Sequence, residues 1–148
     1  MSNHYPVYPV KQVLLVRTDL KNKQGQKVKS AKMGIQMAHA AMIWVARLIQ
    51  LQVARDEELY DEASTIAERM TEDEKEWLLN GSFAKIALGV EHREMLELVL
   101  KAQEAGLKAY ICTDAGRTEF EGPTETVAAI GPARADVIDL ITGHLRPL

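Results

Sequence analysis

Lys32, Gln36 and His39 recur at i, i+4 and i+7 in the stretch SAKMGIQMAHAA, a spacing that places all three on one face of a helix. Their neighbours include Met33, Ile35, Met37, Met42, Ile43 and Trp44, so a polar stripe crosses an otherwise apolar segment. A second cluster lies far along the chain, where the run LKAYI gives way to DAGRTE and supplies Asp114, Arg117 and Thr118. A lysine, a carboxylate, a threonine and a histidine suffice to activate water and to stabilise an oxyanion without a metal. Each cluster also has a plainer reading. The stripe taken alone is the wet side of a helix with His39 half-buried. DAGRTE alone is a tight turn, with Gly116 supplying an unusual backbone angle while Asp114 and Thr118 bond local amides.

The elements that carry these residues favour the chemical reading. KQVLLVRTD reads as a buried strand over about 11–17, followed by a basic, glycine-containing loop. Ser30 is placed as the N-cap of a helix over about 31–54. The helical pattern continues through 55–70, with Leu59, Tyr60, Ala63, Ile66, Ala67 and Met70 as one stripe, as one bent helix or two. Thr71 and Glu74 have capping-box spacing ahead of a short helix that stops at Asn80-Gly81. AKIALGV, LKAYICT and ETVAAIG are the remaining strands; REMLELVLKAQEAG is a helix closed by Gly106, and Pro132 is expected to open a last helix that Gly143 ends. Such alternation predicts an α/β layered sheet whose first three strands are largely parallel, and these sheets place their sites at the strands' carboxyl edge. Asp114 directly follows the third strand, and Thr18 and Asp19 follow the first, so the polar clusters should meet there. Lys32 falls in the first turn of its helix, where the positive end of the helix dipole disfavours a cation. It needs an anion, and Asp114 is the candidate.

Composition narrows the alternatives. A chain of 148 residues, 47% of them apolar, suits one domain over 1–148. Cys112 is the only cysteine, which rules out an internal disulfide; it reads as a buried small residue rather than a nucleophile. His4, His39, His92 and His144 are too scattered for a metal-ligand spacing, and no phosphate-loop, dinucleotide or nucleophile-elbow pattern occurs. The longest apolar segment is interrupted by His39, Arg47, Gln50 and Gln52, and the start of the chain lacks a basic region followed by an apolar core; a cytoplasmic location without a membrane is the expectation. Charge is lopsided: residues 1–32 carry a net +6 and residues 55–76 a net −7, within a total of −3. A basic loop at 21–30 and an acidic helical insertion at about 55–76 follow from that distribution.

VLLVRTDL, the lysine seven positions before histidine in KMGIQMAHAA, DAGRTE, TVAAIGP and DLITGHL occur in one order, and that order resembles the archaeal and eukaryotic type of peptidyl-tRNA hydrolase, often called type two. The resemblance implies a three-layer α/β/α sandwich with a four-stranded mixed sheet, and metal-independent hydrolysis of the ester joining a peptide to the terminal ribose of tRNA, with no cofactor. By resemblance, Lys32, His39, Asp114 and Thr118 match the catalytic group, Gln36 lies in the same helix motif and Arg117 in the same turn. The mechanism expected has Asp114, oriented by Thr118, deprotonating water, Lys32 offsetting charge on the ester oxygen, and His39 orienting substrate or relaying a proton. Asp19, Lys21, Lys23, Lys27 and Lys29 are expected beside them as substrate contacts, the lysines gripping tRNA phosphates. Three features depart from the family pattern: eleven residues separate Leu20 from Lys32, Met37 stands where cysteine is common, and Glu119 replaces a usual glutamine. Glu119 is expected to raise the pKa of Asp114. The rival readings are an RNA- or protein-binding member that keeps the fold without hydrolysis, and an esterase for a related acylated adaptor. A homodimer is left open.

Overall fold

A computed structural model describes residues 9–57 and 65–148, the side chains of 55–57 excepted. Four strands, β1 (Val10–Arg17), β2 (Lys85–Val90), β3 (Ala109–Asp114) and β4 (Thr124–Arg134), form one mixed sheet in the order β2-β1-β4-β3. β1 and β2 pair in parallel, while β4 runs antiparallel to both β1 and β3. The first three strands therefore point the same way, as the alternation predicts, but β4 is inserted between β1 and β3.

Alternate residues of β1 serve opposite layers. Val13 and Leu15 join Ala128 and Ile130 of β4 in a core with Met95, Leu98 and Val99 of α4 (His92–Glu104) and Ile138 of α5 (Ala135–Thr142). Leu14 and Val16 join Val127 and Ala129 under Met33, Met37 and Ala40 of α1 (Ser30–Glu57). A sheet buried on both faces explains why β1 reads as a continuous apolar run rather than an alternating one. At the start of β1, Val10 packs with Trp44, Leu48 and Trp77 beneath α2 (Ile66–Arg69) and α3 (Glu72–Leu79).

Capping fixes the short helices. Thr71 and Glu74 form the expected capping box, and Thr65 with Glu68 forms a second. Leu59, Tyr60 and Ala63 of the anticipated stripe lie outside the described residues, whereas Ile66 and Met70 do pack into the α1–α3 core. Two boundaries differ from expectation. Ser30 is the first residue of α1 rather than its cap, the first backbone bond running from Met33 N–H to the Lys29 carbonyl at 3.1 Å. Pro132 does not open α5, because β4 continues to Arg134 through a cis Gly131-Pro132 bond. The β1–β4 register slips there, Lys11 facing Ala133 but Val13 facing Ile130, and a bulge spares the proline a ladder donor it lacks.

Candidate active site

β1 and β3 deliver their last residues to the edge where α1 begins. Lys32 sits one turn into α1, and its Nζ donates to Asp114 Oδ2 at 2.8 Å. The anion demanded by a lysine in that first turn is thus supplied from β3, 82 residues away in sequence. Gln36, one turn further on, donates from Nε2 to the same Oδ2 at 3.1 Å. The backbone N–H of Gly116 donates to Oδ1 at 2.8 Å, closing an Asx-type turn. Gly116 has φ +75°, and a Cβ there would lie 2.1 Å from the Gly122 carbonyl oxygen. Only glycine fits that crossing.

A second tier fixes Gln36, whose side chain is fully enclosed. Its Oε1 accepts from Thr126 Oγ1 at 2.6 Å and from Cys112 Sγ at 3.4 Å. Two donors on the oxygen orient the amide, leaving its NH₂ for Asp114. The sequence alone gives Thr126 no chemical role. Strict alternation along β4 would send it to the α4 and α5 side with Ala128 and Ile130. The β3–β4 register shifts between Cys112↔Val127 and Thr113↔Glu125, and this bulge turns Thr126 toward α1. The sequence carries two signals for it: a polar residue next to a run of buried β4 positions, and its place at the head of TVAAIGP.

The electrostatics follow from these contacts. The Lys32 hydrogen bond holds the Asp114 carboxyl below its ordinary range, partial burial opposes it, and the Gly116 N–H and the Lys32 charge add to the lowering. Glu119 does not appear among the groups acting on Asp114, so the expected rise is corrected to a fall. Burial pushes the Cys112 thiol up, which suits a packing residue better than a nucleophile. The side chains of Asp114 and Lys32 remain 14% and 19% exposed, so the pair is reachable from solvent. Of the two carboxylate oxygens, Oδ2 takes two donors and Oδ1 one. A lone-pair site on Oδ1 is open.

The other anticipated residues are arranged differently. Thr118 and Arg117 are exposed, and neither bonds Asp114; the orienting bond expected of Thr118 comes from Gly116. His39 is exposed one turn beyond Gln36 and has no hydrogen-bond partner among the described residues. Asp19 lies at the same edge but is engaged: Arg17 bonds it from Nε at 2.9 Å and Nη2 at 3.2 Å, and it accepts from the His92 N–H at 3.3 Å. Its carboxyl is lowered chiefly by Arg17. Because Glu91 makes no side-chain cap, Asp19, two residues past β1, supplies that service to α4.

The basic loop is a small hairpin. Lys21 and Lys27 pair across it, Asn22 Oδ1 accepts from the N–H groups of Gln24 and Gln26, and Gly25 turns at φ +76°. Leu20 and Val28 anchor it on Phe120, and Lys23 N–H donates to the Glu119 carbonyl at 2.8 Å. The hairpin is therefore tied to the turn that follows Asp114. Lys21, Lys23, Lys27 and Lys29 form no side-chain ion pair among the described residues. Between hairpin and turn lies an open cavity of about 470 Å³ lined in part by Arg17, Lys21, Lys23 and Thr124. No group of three or more metal-ligating side chains occurs among the described residues.

These features define an α/β protein with a lysine–carboxylate pair held at the carboxyl edge of a mixed sheet beside a basic hairpin. Residues 10–148 match the family model described as peptidyl-tRNA hydrolase PTH2. The peptidyl-tRNA hydrolase of Sulfolobus acidocaldarius is 37% identical over 143 residues, covering 94% of this chain and 100% of that protein. That of Thermococcus onnurineus is 30% identical, covering 95% and 98%. The human protein named peptidyl-tRNA hydrolase 2, mitochondrial is 32% identical, covering 92% of this chain and 63% of the human protein. The chain belongs to the PTH2 family of peptidyl-tRNA hydrolases.

Proposed function

We propose that this chain hydrolyses the ester between a peptide and the terminal ribose of tRNA, with the attacking water held on Asp114 Oδ1. The single observation that carries the mechanism is the saturation of Oδ2 by Lys32 and Gln36 beside an Oδ1 that keeps an acceptor site open. A carboxylate stabilised this strongly is a weak base in the resting protein. Its role is to orient water in line with the carbonyl, the proton moving only as the new bond forms. The water oxygen bonds to the acyl carbon, Lys32 faces the charge growing on the carbonyl oxygen, and the acyl–ribose bond breaks. The proton lost by water passes through Asp114 to the departing ribose oxygen, leaving a free peptide acid and tRNA.

His39, Arg117 and Thr118 are exposed and are proposed to contact the substrate. Lys21, Lys23, Lys27 and Lys29 are proposed to hold backbone phosphates, a contact that is salt-dependent and carries little sequence information. A cytoplasmic location belongs to the same reading and rests on the full-length likeness to the archaeal proteins.

Incubation of the purified chain with peptidyl-tRNA and, separately, with aminoacyl-tRNA tests the reading. Release of peptide from the first without a metal, at a KM that rises with added salt, is the expected result. Binding of peptidyl-tRNA with no cleavage would move the chain to a non-hydrolytic role, and a KM indifferent to salt would remove the hairpin from the interface.

A further inference from the structure

The basic hairpin borders two cavities of unlike chemistry. Its first limb, with Lys21 and Lys23, lines the basic cavity of about 470 Å³. Its second limb, with Lys27 and Val28, lines another of about 310 Å³ over the end of β1. Arg17 and Leu20 line both, so the two share a wall. The second cavity is walled mainly by Val16, Leu20, Val28, Met33 and Met37, of which the first three are buried. Its polar groups Thr18, Lys27 and Ser30 are exposed. An apolar interior with a few polar groups is the usual form of a small-ligand site, and the volume is at the low end for one. Leu148 completes the lining. Leu148 N–H donates to the Ala87 carbonyl at 2.8 Å and Gly89 N–H to that of Arg146 at 3.2 Å, so residues 146–148 run beside β2 and deliver this leucine to the cavity.

The position of this cavity relative to the lysine–carboxylate pair says what it fits. Met33 and Met37 directly follow Lys32 and Gln36, so the cavity wall and the polar pair are adjoining strips of α1. β1 and β3 end at the same edge with β4 between them, which puts the cavity two strand spacings, about 10 Å, from Asp114. An extended peptide advances about 3.3 Å per residue. A peptide whose ester lies at the Lys32–Asp114 pair and whose chain runs toward β1 thus brings about its third residue to the cavity. Nucleic acid suits the other cavity better. Lys21 and Lys23 lie there, whereas among the described residues lining the second cavity none is aromatic, so it offers no ring on which a base could stack. Methionine side chains adapt to the shape they meet, so this lining sorts by apolar character rather than by outline.

We infer, resting on the ester hydrolysis proposed above, that the cavity between the hairpin, α1 and Leu148 binds an apolar side chain of the peptide about three residues from the ester. Two N-acetylated substrates, Leu-Gly-Gly-tRNA and Gln-Gly-Gly-tRNA, differ only in the residue farthest from the ester and test this. KM for the leucine substrate should be lower by about tenfold, the low end of what an apolar group gains in a hydrophobic pocket. The kcat values should be equal, because the contact is the same before and during the reaction. Met37→Gln should cancel the difference between the substrates. Leu148→Ser, at a position 64% exposed and outside the core, should reduce it in protein that keeps its fold. Cleavage of both substrates by the wild type at equal KM overturns the inference and leaves the proposed function standing. A KM that rises equally for both substrates in Met37→Gln also overturns it, and assigns the cavity to the end of the tRNA. Failure of the wild type to cleave either substrate overturns the proposed function and the inference with it.

Discussion

A lysine–carboxylate pair sits at each end of β3, and the two pairs differ in their access to solvent. At its start, Lys108 bonds Glu74 of α3 at 2.8 Å to Oε2 and 2.9 Å to Oε1. At its end, Asp114 bonds Lys32 of α1 at 2.8 Å. Glu74 is 1% exposed, and its Oε1 also accepts the Thr71 N–H at 2.8 Å to complete the capping box. Lys108 lies over the Trp44 ring at 5.7 Å, and Trp44 meets Trp77 edge-on. That pair is spent on fastening α3 to the sheet. Asp114, by contrast, is 14% exposed, so the acceptor site left on Oδ1 is within reach of solvent. Lysine beside carboxylate is therefore no mark of catalysis by itself; each carboxylate has one oxygen with a single donor, and what separates them is that Asp114 is reachable from solvent while Glu74 is enclosed.

The largest effect that separates the two ends is on stability. Glu74→Ala removes a buried partner from Lys108 and a cap from α3 at once, and should cost about 3 kcal/mol in denaturant unfolding. Cleavage per folded molecule should be retained, and a loss of cleavage in protein shown to be folded would erase the distinction drawn here. Thr126→Val comes next. Without the hydroxyl on Oε1, the Gln36 amide is free to turn and Asp114 loses one of three donors, for a fall of about tenfold in kcat, or ~1.4 kcal/mol. KM should hold, and Thr126→Ser should restore the rate; a change in KM alone would point to a packing role. The smallest effect is on acid stability. Lys32 depresses the folded pKa of Asp114, so its contribution is fully present above the unfolded value, about 3.9, and is lost as pH falls through the lower folded value. The melting temperature of Lys32→Ala should trail the wild type at neutral pH and converge with it in strong acid. A constant gap at every pH would deny the coupling.

What could be read from the chain, and what could not, divides along the same physical lines. The strands, the alternation and the face shared by Lys32 and Gln36 are local patterns, set by periodicities of two and 3.6 residues. The need of Lys32 for an anion was also local, because a helix N-terminus disfavours a cation wherever it lies. Thr126 escaped because a bulge shifts the inside–outside alternation by a single residue, and Pro132 was misplaced because a second bulge admits proline within a strand. Asp19 carries charge at that edge, but its contacts with Arg17 and the start of α4 are not visible in its motif. Thr118 lay in the right motif, yet the backbone of Gly116 does the orienting expected of it. In each case the deciding contact depends on register or on distant backbone, which composition does not encode.

Single-turnover cleavage of peptidyl-tRNA by Asp114→Asn, run beside the wild type, puts the open acceptor site to the most direct trial. The asparagine keeps the shape of the side chain but places an amide where the charged oxygens orient water and face Lys32. The rate should fall by about 10²–10³, the range for removing one oriented electrostatic group from an active site, while binding of uncleaved substrate changes little. A variant that cleaves within a few-fold of the wild type would contradict the account, and the end of β3 would then be a fastening like its start.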